Sequence, residues 1–424
     1  MPLAVSSTEP AEALFERAVT GSPLSREDAL FLYRSPQMSL EKLAEAARDV
    51  RHRRLDQDRR DTVTYSPKVF LPLTNLCRDR CRYCTFRRDP GDAGARWMEP
   101  EEVLAVARAG EALGCKEVLL SLGDRPEAAF PEAKAWLRER GYERTLDYVA
   151  AIGELLLRET SLLPHSNPGL MARSDLVRLK QSNASLGLML ESTSTALFEP
   201  GGAHEDAIDK LPERRLRTIR EAGELKIPFT TGILVGIGES DEDVIDSLLA
   251  IRELHSRYGH IQEVIVQNFV PKPEIPMRDF PAPASSQFAR TVAIARLVLG
   301  SEMNIQAPPN LSPGGLELLL DCGINDWGGI SPLTLDFINP EAPWPQVENL
   351  AALCSSRGLR LRERLAVYPE YVSRTEFFSP KVWELLRERT HADGFPLKEN
   401  PQITQMAQNK VKSAKSVGKG TAGR

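Results

Sequence analysis

Residues 68–86 read KVFLPLTNLCRDRCRYCTF, an apolar run that leads directly into three closely spaced cysteines. The apolar run is typical of a buried strand, and six further short apolar runs follow it, separated by amphipathic stretches of helical periodicity. These runs are EVLLSL (117–122), SLLPH (161–165), ASLGLMLE (184–191), FTTGILVGI (229–237), EVIVQNF (263–269) and MNIQA (303–307). Buried strands that alternate with helices predict an α/β fold with a parallel sheet, and this number of units favours a full or partial (β/α) TIM-type barrel over an open doubly wound sheet.

The composition divides the chain into four regions. Residues 1–63 are strongly charged with helical periodicity and predict an N-terminal helical cap, and residues 64–340 carry the predicted barrel. Residues 341–403 begin with a proline-rich link and form a C-terminal extension. Residues 404–424 are basic and rich in small polar residues, which predicts a disordered tail.

Charge and cysteine content exclude several classes of protein. The 54 basic and 59 acidic residues give a net charge of −5, which argues against a dedicated nucleic-acid binder. No apolar stretch approaches the ~20 residues of a spanning helix, and Glu9 and Glu12 interrupt the N-terminus before a signal-peptide core could develop. Six cysteines are too few for a secreted disulfide scaffold. We therefore expect a cytoplasmic protein with no membrane segment.

Three of the cysteines, Cys77, Cys81 and Cys84, have C-x3-C-x2-C spacing directly after the first predicted strand. Loops at the carboxyl ends of barrel strands form active sites, so these thiols are expected at the barrel mouth. Three soft thiolates suit an iron–sulfur cluster or zinc. Zinc needs a nearby fourth ligand, and the next Cys or His is Cys115, so the spacing favours a four-iron cluster with one open iron.

This spacing, with Tyr83 before the last cysteine, resembles the signature of the radical S-adenosylmethionine (SAM) superfamily. The resemblance implies a [4Fe-4S] cluster held by Cys77, Cys81 and Cys84, with exchangeable SAM bound to the open iron. It also implies one-electron cleavage of SAM to a 5′-deoxyadenosyl radical. Tyr83 would lie beside the adenine.

Two further segments are similar to SAM-binding parts of that superfamily. Gly123 and Asp124, after the second run, resemble a Gly-Gly-Glu methionine-binding segment in which Asp replaces the second glycine. Glu191 ends the fourth run and resembles a polar residue that contacts the ribose or methionine part of SAM.

The segment GILVGIGE, 232–239, resembles the adenine-side motif G-x-I-x-G-x-x-E. The implied SAM contacts are Gly232, Leu234, Gly236 and Glu239, with Leu234 in the place of isoleucine. A dinucleotide fingerprint is the alternative, but G-x-G-x-x-G would need a glycine at position 241, which is Asp241.

Longer segments are similar to the CofG-type subunits of FO synthase over about residues 68–345, including SLGDRPE, LLPHSNPG and INDWGGISPLTLDFINPEAPWP. This resemblance implies a radical SAM lyase that completes a deazaflavin. Its substrate would be the hydroxybenzyl adduct of ribitylaminouracil, which a CofH-type sister subunit makes from tyrosine. Hydrogen abstraction, ring closure and ammonia loss would follow, with flavodoxin or ferredoxin as electron donor.

Other functions stay open. The sister subunit and the menaquinone-pathway radical enzymes share the expected architecture, and a non-catalytic iron–sulfur or zinc protein is a candidate of another class. A single cysteine motif indicates one half of the fused two-subunit form. A sulfur-inserting enzyme is disfavoured because the remaining cysteines, Cys115, Cys322 and Cys354, are widely scattered.

The substrate side offers weaker candidates. His165 is a candidate general base or phenol partner, with a hydrogen bond to its own loop as the equal alternative, and Asp326 is a similar candidate beside Asn325. Asn167, Gln267 and Asn268 also end predicted strands and offer polar groups to a substrate. The residue types alone do not choose the acid or base.

Overall fold

The structure is a computed structural model that describes residues 10–53 and 57–398. The predicted disordered tail, residues 404–424, lies outside the described residues, as do the beginning of the predicted cap and the end of the predicted extension. The described ranges contain nine strands and fifteen α-helices.

The strands all run parallel to their neighbours. They are β1 Thr62–Leu71, β2 Glu117–Ser121, β3 Leu163–Asn167, β4 Ser185–Gly187, β5 Phe229–Val235, β6 Ile261–Asn268, β7 Ile305–Gln306, β8 Asp326–Ile330 and β9 Arg360–Glu363. Strands β1 to β8 pair in sequence order, and β1 pairs with both β2 and β8. The predicted (β/α) barrel is therefore confirmed, in its full, closed, eight-stranded form.

Helices connect the strands and surround the barrel. They are α1 Ala11–Thr20, α2 Arg26–Arg34, α3 Leu40–His52, α4 Gln57–Arg60, α5 Pro100–Ala112, α6 Pro131–Glu139, α7 Thr145–Glu159, α8 Arg173–Leu179, α9 Pro212–Glu224, α10 Asp241–Tyr258, α11 Ser285–Leu299, α12 Leu316–Asp321, α13 Val347–Ser356, α14 Pro369–Val372 and α15 Pro380–Arg387. The local sequence sets where several of these helices begin and end. In α10, the Ser240 hydroxyl accepts from the Asp243 N–H, the Asp243 carboxylate accepts from the Ser240 N–H, and Gly259 ends the helix at φ +62°.

The N-terminal helices pack on the outside of the barrel helices. Leu14, Leu32 and Leu43 are fully buried in the main hydrophobic core. The Tyr33 hydroxyl lies 2.8 Å from the Thr291 hydroxyl on α11, which ties α2 to the barrel. The boundaries expected between cap, barrel and extension stay predictions.

Strand β1 has three partners. Its residues 68–71 pair with β2, its residues 64–67 pair with β8, and its residues 62–65 pair with β9. Strand β9 therefore adds to β1 beside the closed barrel, near the amino-terminal ends of the strands.

The inside of the barrel is polar at its amino-terminal end. Arg364, which follows β9, donates to both carboxylate oxygens of Asp326 (2.7 and 3.0 Å) and to Glu263 (3.1 Å). The Thr64 hydroxyl also donates to Asp326, and the Tyr368 hydroxyl donates to Glu263 at 3.0 Å. Since Arg364 is only 4% exposed, these pairs lie out of solvent. The chain after β9 thus closes the end of the barrel opposite the cysteines.

Two strands were not expected from the sequence. Strand β8 reads DWGGI and β9 reads RLRE, and neither contains a continuous apolar run. The polar inner face of the barrel explains this, because inward positions such as Asp326 take charged residues. Strand β1 also begins earlier than expected, since its first half, TVTYSP, alternates polar with apolar residues although all of them are buried.

No helix in the ranges 10–53 and 57–398 combines the length and the apolar content needed to cross a membrane.

Replacing Arg364 with Met should lower the free energy of unfolding by about 3–5 kcal/mol, because Asp326 and Glu263 would keep their buried charges without a partner. Urea unfolding followed by circular dichroism measures this. Arg158, whose side chain is 62% exposed and paired with Glu159, is the matched control. Its replacement with Met should cost less than about 1 kcal/mol. Equal urea midpoints for the two variants would contradict a stabilising role for the buried network.

Candidate active site at the barrel mouth

A cavity of about 250 Å³ lies at the carboxyl ends of the barrel strands and is called the mouth cavity below. Its walls come from the segments that follow β1 to β6 and from the segment after β8. Cys77, Cys81 and Cys84 all line it. A larger cavity, of about 1070 Å³, lies outside the barrel near α5 and α13, and no cysteine lines it. The mouth cavity is therefore the candidate site because of its cysteines and not because of its size.

The three cysteines fit a cluster better than a single ion. Tetrahedral zinc with four thiolates at ~2.3 Å holds its sulfur atoms about 3.8 Å apart. Among the Cys, His, Asp and Glu side chains of the described residues, one group of three has its ligand atoms within 4.8 Å of one another. This group is Asp79, Asp124 and Asp209. At least one pair of the three thiols therefore lies more than 4.8 Å apart, which is wider than a single zinc ion holds its sulfur ligands.

The environment of the thiols also calls for a positively charged group. Burial is the main cause that raises the pKa of Cys81 to about 12, and burial raises the pKa of Cys77 well above its ordinary value. The Asp124 N–H lies 3.2 Å from the Cys77 sulfur, and this hydrogen bond opposes the rise. Iron bound between the cysteines would supply the positive charge that keeps these thiolates ionised.

Gly123 brings the chain after β2 against the cysteine loop. A Cβ atom at this position would lie 1.9 Å from the Leu76 carbonyl oxygen and 2.7 Å from the Cys77 Cβ. Its own N–H donates to the Thr74 carbonyl at 3.0 Å. Gly123 also lines the mouth cavity. The absence of a side chain at this position therefore lets the backbone lie close to both the cysteine loop and the cavity.

Asp124 lines the mouth cavity and belongs to the group of three carboxylates with Asp79 and Asp209. One oxygen of Asp124 accepts from the Leu170 N–H at 3.0 Å, and the other makes no hydrogen bond but lies 3.3 Å from Arg125 Nε. Burial, followed by the charges of Asp209 and Asp79, raises the pKa of Asp124 to about 7. Arg125 forms ion pairs with both Asp124 and Asp209, so the group is held by a cation from the chain itself.

Glu191 is paired with Lys210 in the wall of the mouth cavity. Glu191 has φ +67°, a left-handed conformation uncommon for a residue other than glycine. Burial alone would raise its pKa, but the charges of Lys210 and Arg215 outweigh burial and hold the pKa below the ordinary value. The carboxylate therefore stays ionised, with the Lys210 ammonium bonded to it.

Tyr83 also lines the mouth cavity. Its hydroxyl lies 3.1 Å from His204 Nε2, and the Lys210 ammonium lies 5.9 Å from the centre of its ring. The ring packs against an apolar cluster that includes Leu234 and Phe269. This cluster offers a flat apolar wall beside the thiols.

The glycine-rich segment 232–239 begins within β5 and continues into the turn that follows it, and Leu234 is its one residue that lines the cavity. Gly232 allows close strand packing, since a Cβ there would lie 2.1 Å from the Ile265 carbonyl oxygen. Gly236 has φ +92°, and a Cβ would lie 2.6 Å from Pro283. The Glu239 carboxylate accepts from the Gly236 and Ile237 N–H groups at 2.6 and 2.8 Å. In this structure the motif shapes the turn that follows β5.

The two catalytic candidates lie below the mouth cavity, inside the barrel. His165 Nδ1 lies 2.6 Å from the Ser185 hydroxyl, which donates to the Ala366 carbonyl, so Nδ1 is the donor to Ser185. Burial lowers the pKa of His165 to about 4, and the ring is neutral at pH 7. Asp326 is fully buried and held by Arg364. Neither residue is brought to the thiols, because both belong to the polar interior.

The amide candidates also fall into two groups, those that line the mouth cavity and one that lies away from it. Asn167, Gln267 and Asn268 line the mouth cavity. Asn325 does not, because its side chain accepts from Arg296 at 2.7 Å and donates to Asn304 at 2.8 Å.

Sequence reasoning missed the basic residues of the cavity wall. They are Arg87, Lys210, Arg215 and Lys272, and Asn339 was missed with them. Lys210 lies in a turn before α9, and Arg215 lies at the start of α9. No local sequence motif marks either residue. The one available signal was the excess of basic residues in 210–220, KLPERRLRTIR, just after the strand that ends at Glu191.

Gly123→Ala should reduce the iron content after anaerobic reconstitution by at least about tenfold, because the added methyl group would displace the backbone that carries Cys77. Iron analysis and visible absorption measure the loss. Gly314→Ala is the control, since a Cβ there meets no atom within 4 Å. Full iron content in the Gly123 variant would show that the cysteine loop moves aside without losing its cluster.

Comparison with known proteins shows to which family the chain belongs. The model of the radical SAM superfamily matches residues 71–251. The 7,8-didemethyl-8-hydroxy-5-deazariboflavin synthase of Methanopyrus kandleri is 49% identical over 333 residues, which cover 78% of this chain and 99% of that protein. The FO synthase of Nocardia farcinica is 48% identical over 379 residues, 88% of this chain, but the match spans only 44% of that protein.

Among solved structures, methylornithine synthase (PylB) has the same fold, with a TM-score of 0.62 at 20% identity over 82% of this chain and 96% of that chain. The chain belongs to the radical SAM superfamily and, within it, to the family of the 7,8-didemethyl-8-hydroxy-5-deazariboflavin synthases.

Proposed function

We propose that this chain forms the deazaflavin FO from the hydroxybenzyl adduct of ribitylaminouracil, with release of ammonia, as a radical SAM carbon–nitrogen lyase. One observation carries the proposal. The match to the Methanopyrus kandleri synthase runs through 99% of that protein, and the match to the radical SAM superfamily model, over residues 71–251, includes the three thiols that line the mouth cavity.

Cys77, Cys81 and Cys84 are proposed to hold the [4Fe-4S] cluster. When bound, the cluster supplies the electron that cleaves SAM to methionine and a 5′-deoxyadenosyl radical. The chain's own part is to orient SAM and the adduct, to exclude water from the mouth cavity, and to keep the cysteine loop in place through Gly123 and the Asp124 N–H.

The walls of the mouth cavity suggest how SAM is oriented. The oxygen of Asp124 without a hydrogen-bond partner suits the ammonium group of the methionine part. Glu191, which stays ionised, suits ribose hydroxyls, and Tyr83 with Leu234 suits the flat adenine ring. Gly232, Gly236 and Glu239 would act indirectly, by shaping the turn after β5.

Two protein partners are proposed with this reaction. A CofH-type sister subunit would supply the adduct, and a low-potential flavodoxin or ferredoxin would supply the electron. A cytoplasmic location fits the oxidisable cluster, which needs a reducing compartment. The longer Nocardia farcinica protein, of which this chain spans 44%, supports the view that this chain carries one half of a two-part reaction.

Given SAM, a reductant and the adduct, the protein should produce a fluorescent deazaflavin together with 5′-deoxyadenosine and methionine. Fluorescence and mass spectrometry follow the products. Tyrosine with ribitylaminouracil should give no product, and this arm separates the proposal from the sister-subunit function. If the second pair is consumed and the adduct released, the chain is the sister enzyme. If SAM is cleaved with neither substrate converted, the deazaflavin reaction is wrong.

Cys81→Ala should abolish the absorption near 410 nm and the SAM cleavage of reconstituted protein, because one of only three cluster ligands is lost. Cys115→Ala is the matched control, since Cys115 is buried in the hydrophobic core behind the barrel. It should keep its full iron content. Equal iron in the two variants would remove Cys81 from the cluster.

A further inference from the structure

Lys68 points into the barrel. Along β1, Thr64 and Ser66 reach inward side chains of other strands, since Thr64 donates to Asp326 and the Ser66 hydroxyl donates to Glu117 at 2.5 Å. The alternate residues, such as Val69, belong to the core between strands and helices. By this alternation Lys68 lies on the inner face, and a Cβ at Gly329 on neighbouring β8 would lie 2.6 Å from its ammonium nitrogen.

The Lys68 ammonium lacks an acceptor. Within the described residues no hydrogen bond and no ion pair within 4 Å involves its nitrogen, whose recorded contacts are the rings of Phe70 and Trp344, at 5.7 and 5.1 Å from the ring centres. Other lysines of the barrel differ. Lys210 is paired with Glu191, and Lys272 donates to the Asn339 side chain at 2.7 Å and to a backbone carbonyl.

The surroundings leave this charge uncompensated. Burial lowers the pKa of Lys68, and the more distant carboxylates of Glu117, Asp336 and Glu263 oppose this effect. Arg364 adds a further unfavourable positive charge. A buried charge without a bonded partner destabilises a folded protein, so its presence at the centre of a barrel indicates a role with a ligand.

The interior has space beside Lys68. Lys68 is 9% exposed, and Gln306 and His165, which are also on barrel strands and buried, are each 8% exposed. An inward side chain of a closed barrel cannot reach outside solvent through the sheet. The residual exposure of these three side chains indicates that the barrel interior is not completely filled around them.

We propose that Lys68 binds the phenol oxygen of the deazaflavin precursor and the more acidic, conjugated phenol oxygen of its product, inside the barrel below the thiols. The oxygen supplies the acceptor that the ammonium lacks, and the ionised product also supplies a negative charge. The rings of Phe70 and Trp344 then pack against the phenol ring, because any group bonded to the Lys68 nitrogen lies beside them. The site rests on the proposed function and assigns Lys68 as a residue that determines specificity.

The test compares wild-type protein with Lys68→Met, Lys68→Arg and the control Lys134→Met, which changes an exposed lysine of α6. All four are reconstituted with iron, and SAM affinity, thermal midpoint, KM, kcat and the affinity for the deazaflavin product are measured. The absorption of the bound product is titrated with pH, because ionisation of its phenol changes the spectrum.

In wild-type protein the bound product should ionise at a lower pH than the free product, since the ammonium favours the phenolate. Lys68→Met should keep its iron, its SAM affinity and at least the wild-type thermal midpoint. It should bind product about ten- to hundredfold more weakly and lose the shift in ionisation. Lys68→Arg should keep part of the shift, and Lys134→Met should behave as wild type.

Wild-type affinity, KM and ionisation in Lys68→Met would overturn the proposal while leaving the proposed function intact. An unshifted ionisation in wild-type protein would overturn it too, even if Lys68→Met does not fold. If wild-type protein neither binds nor makes the deazaflavin, the proposed function fails, and the assignment of Lys68 fails with it.

Discussion

The backbone hydrogen bonds of β1 to three other strands hold the barrel closed and place the site. Its residues 68–71 pair with β2 and its residues 64–67 pair with β8, so this one strand joins the two ends of the sheet. The cysteine loop leaves directly from its carboxyl end. Because β9 pairs with its first residues, the same strand also positions the chain that closes the opposite end. A shift of β1 along its neighbours would therefore move the cysteines and Arg364 together.

The barrel interior divides into two levels with different electrostatics. At the amino-terminal end, Arg364 is matched by Asp326 and Glu263, and hydroxyl groups complete the hydrogen bonds, so this level is structural. Higher up, Lys68 lacks a bonded partner, and the interior retains space. Buried charge that is paired stabilises the closed end, whereas buried charge that is unpaired is available to a ligand.

The mouth cavity combines carboxylates with cations supplied by other segments. Arg125 holds the carboxylate group around Asp124, and Lys210 holds Glu191. Lys210 keeps Glu191 ionised near the buried thiols, whereas Arg125 only partly opposes the burial that raises the pKa of Asp124 to about 7. SAM carries an ammonium and a sulfonium as well as a carboxylate, so binding exchanges some of these internal pairs for pairs with the ligand. The cavity is therefore prepared for a charged cofactor without carrying a large net charge of its own.

The sequence by itself determined the parallel barrel and the position of the three cysteines at its mouth, because alternating apolar runs and C-x3-C-x2-C spacing are local patterns. It also identified Tyr83, Asp124, Glu191 and Leu234, which line the cavity with the thiols. Only the tertiary structure separated His165 and Asp326 from the mouth, since hydrogen bonds to distant segments occupy them. It alone brought Lys210 to Glu191 and left Lys68 without a partner, because contacts across a barrel depend on strand register and closure, which no local pattern records.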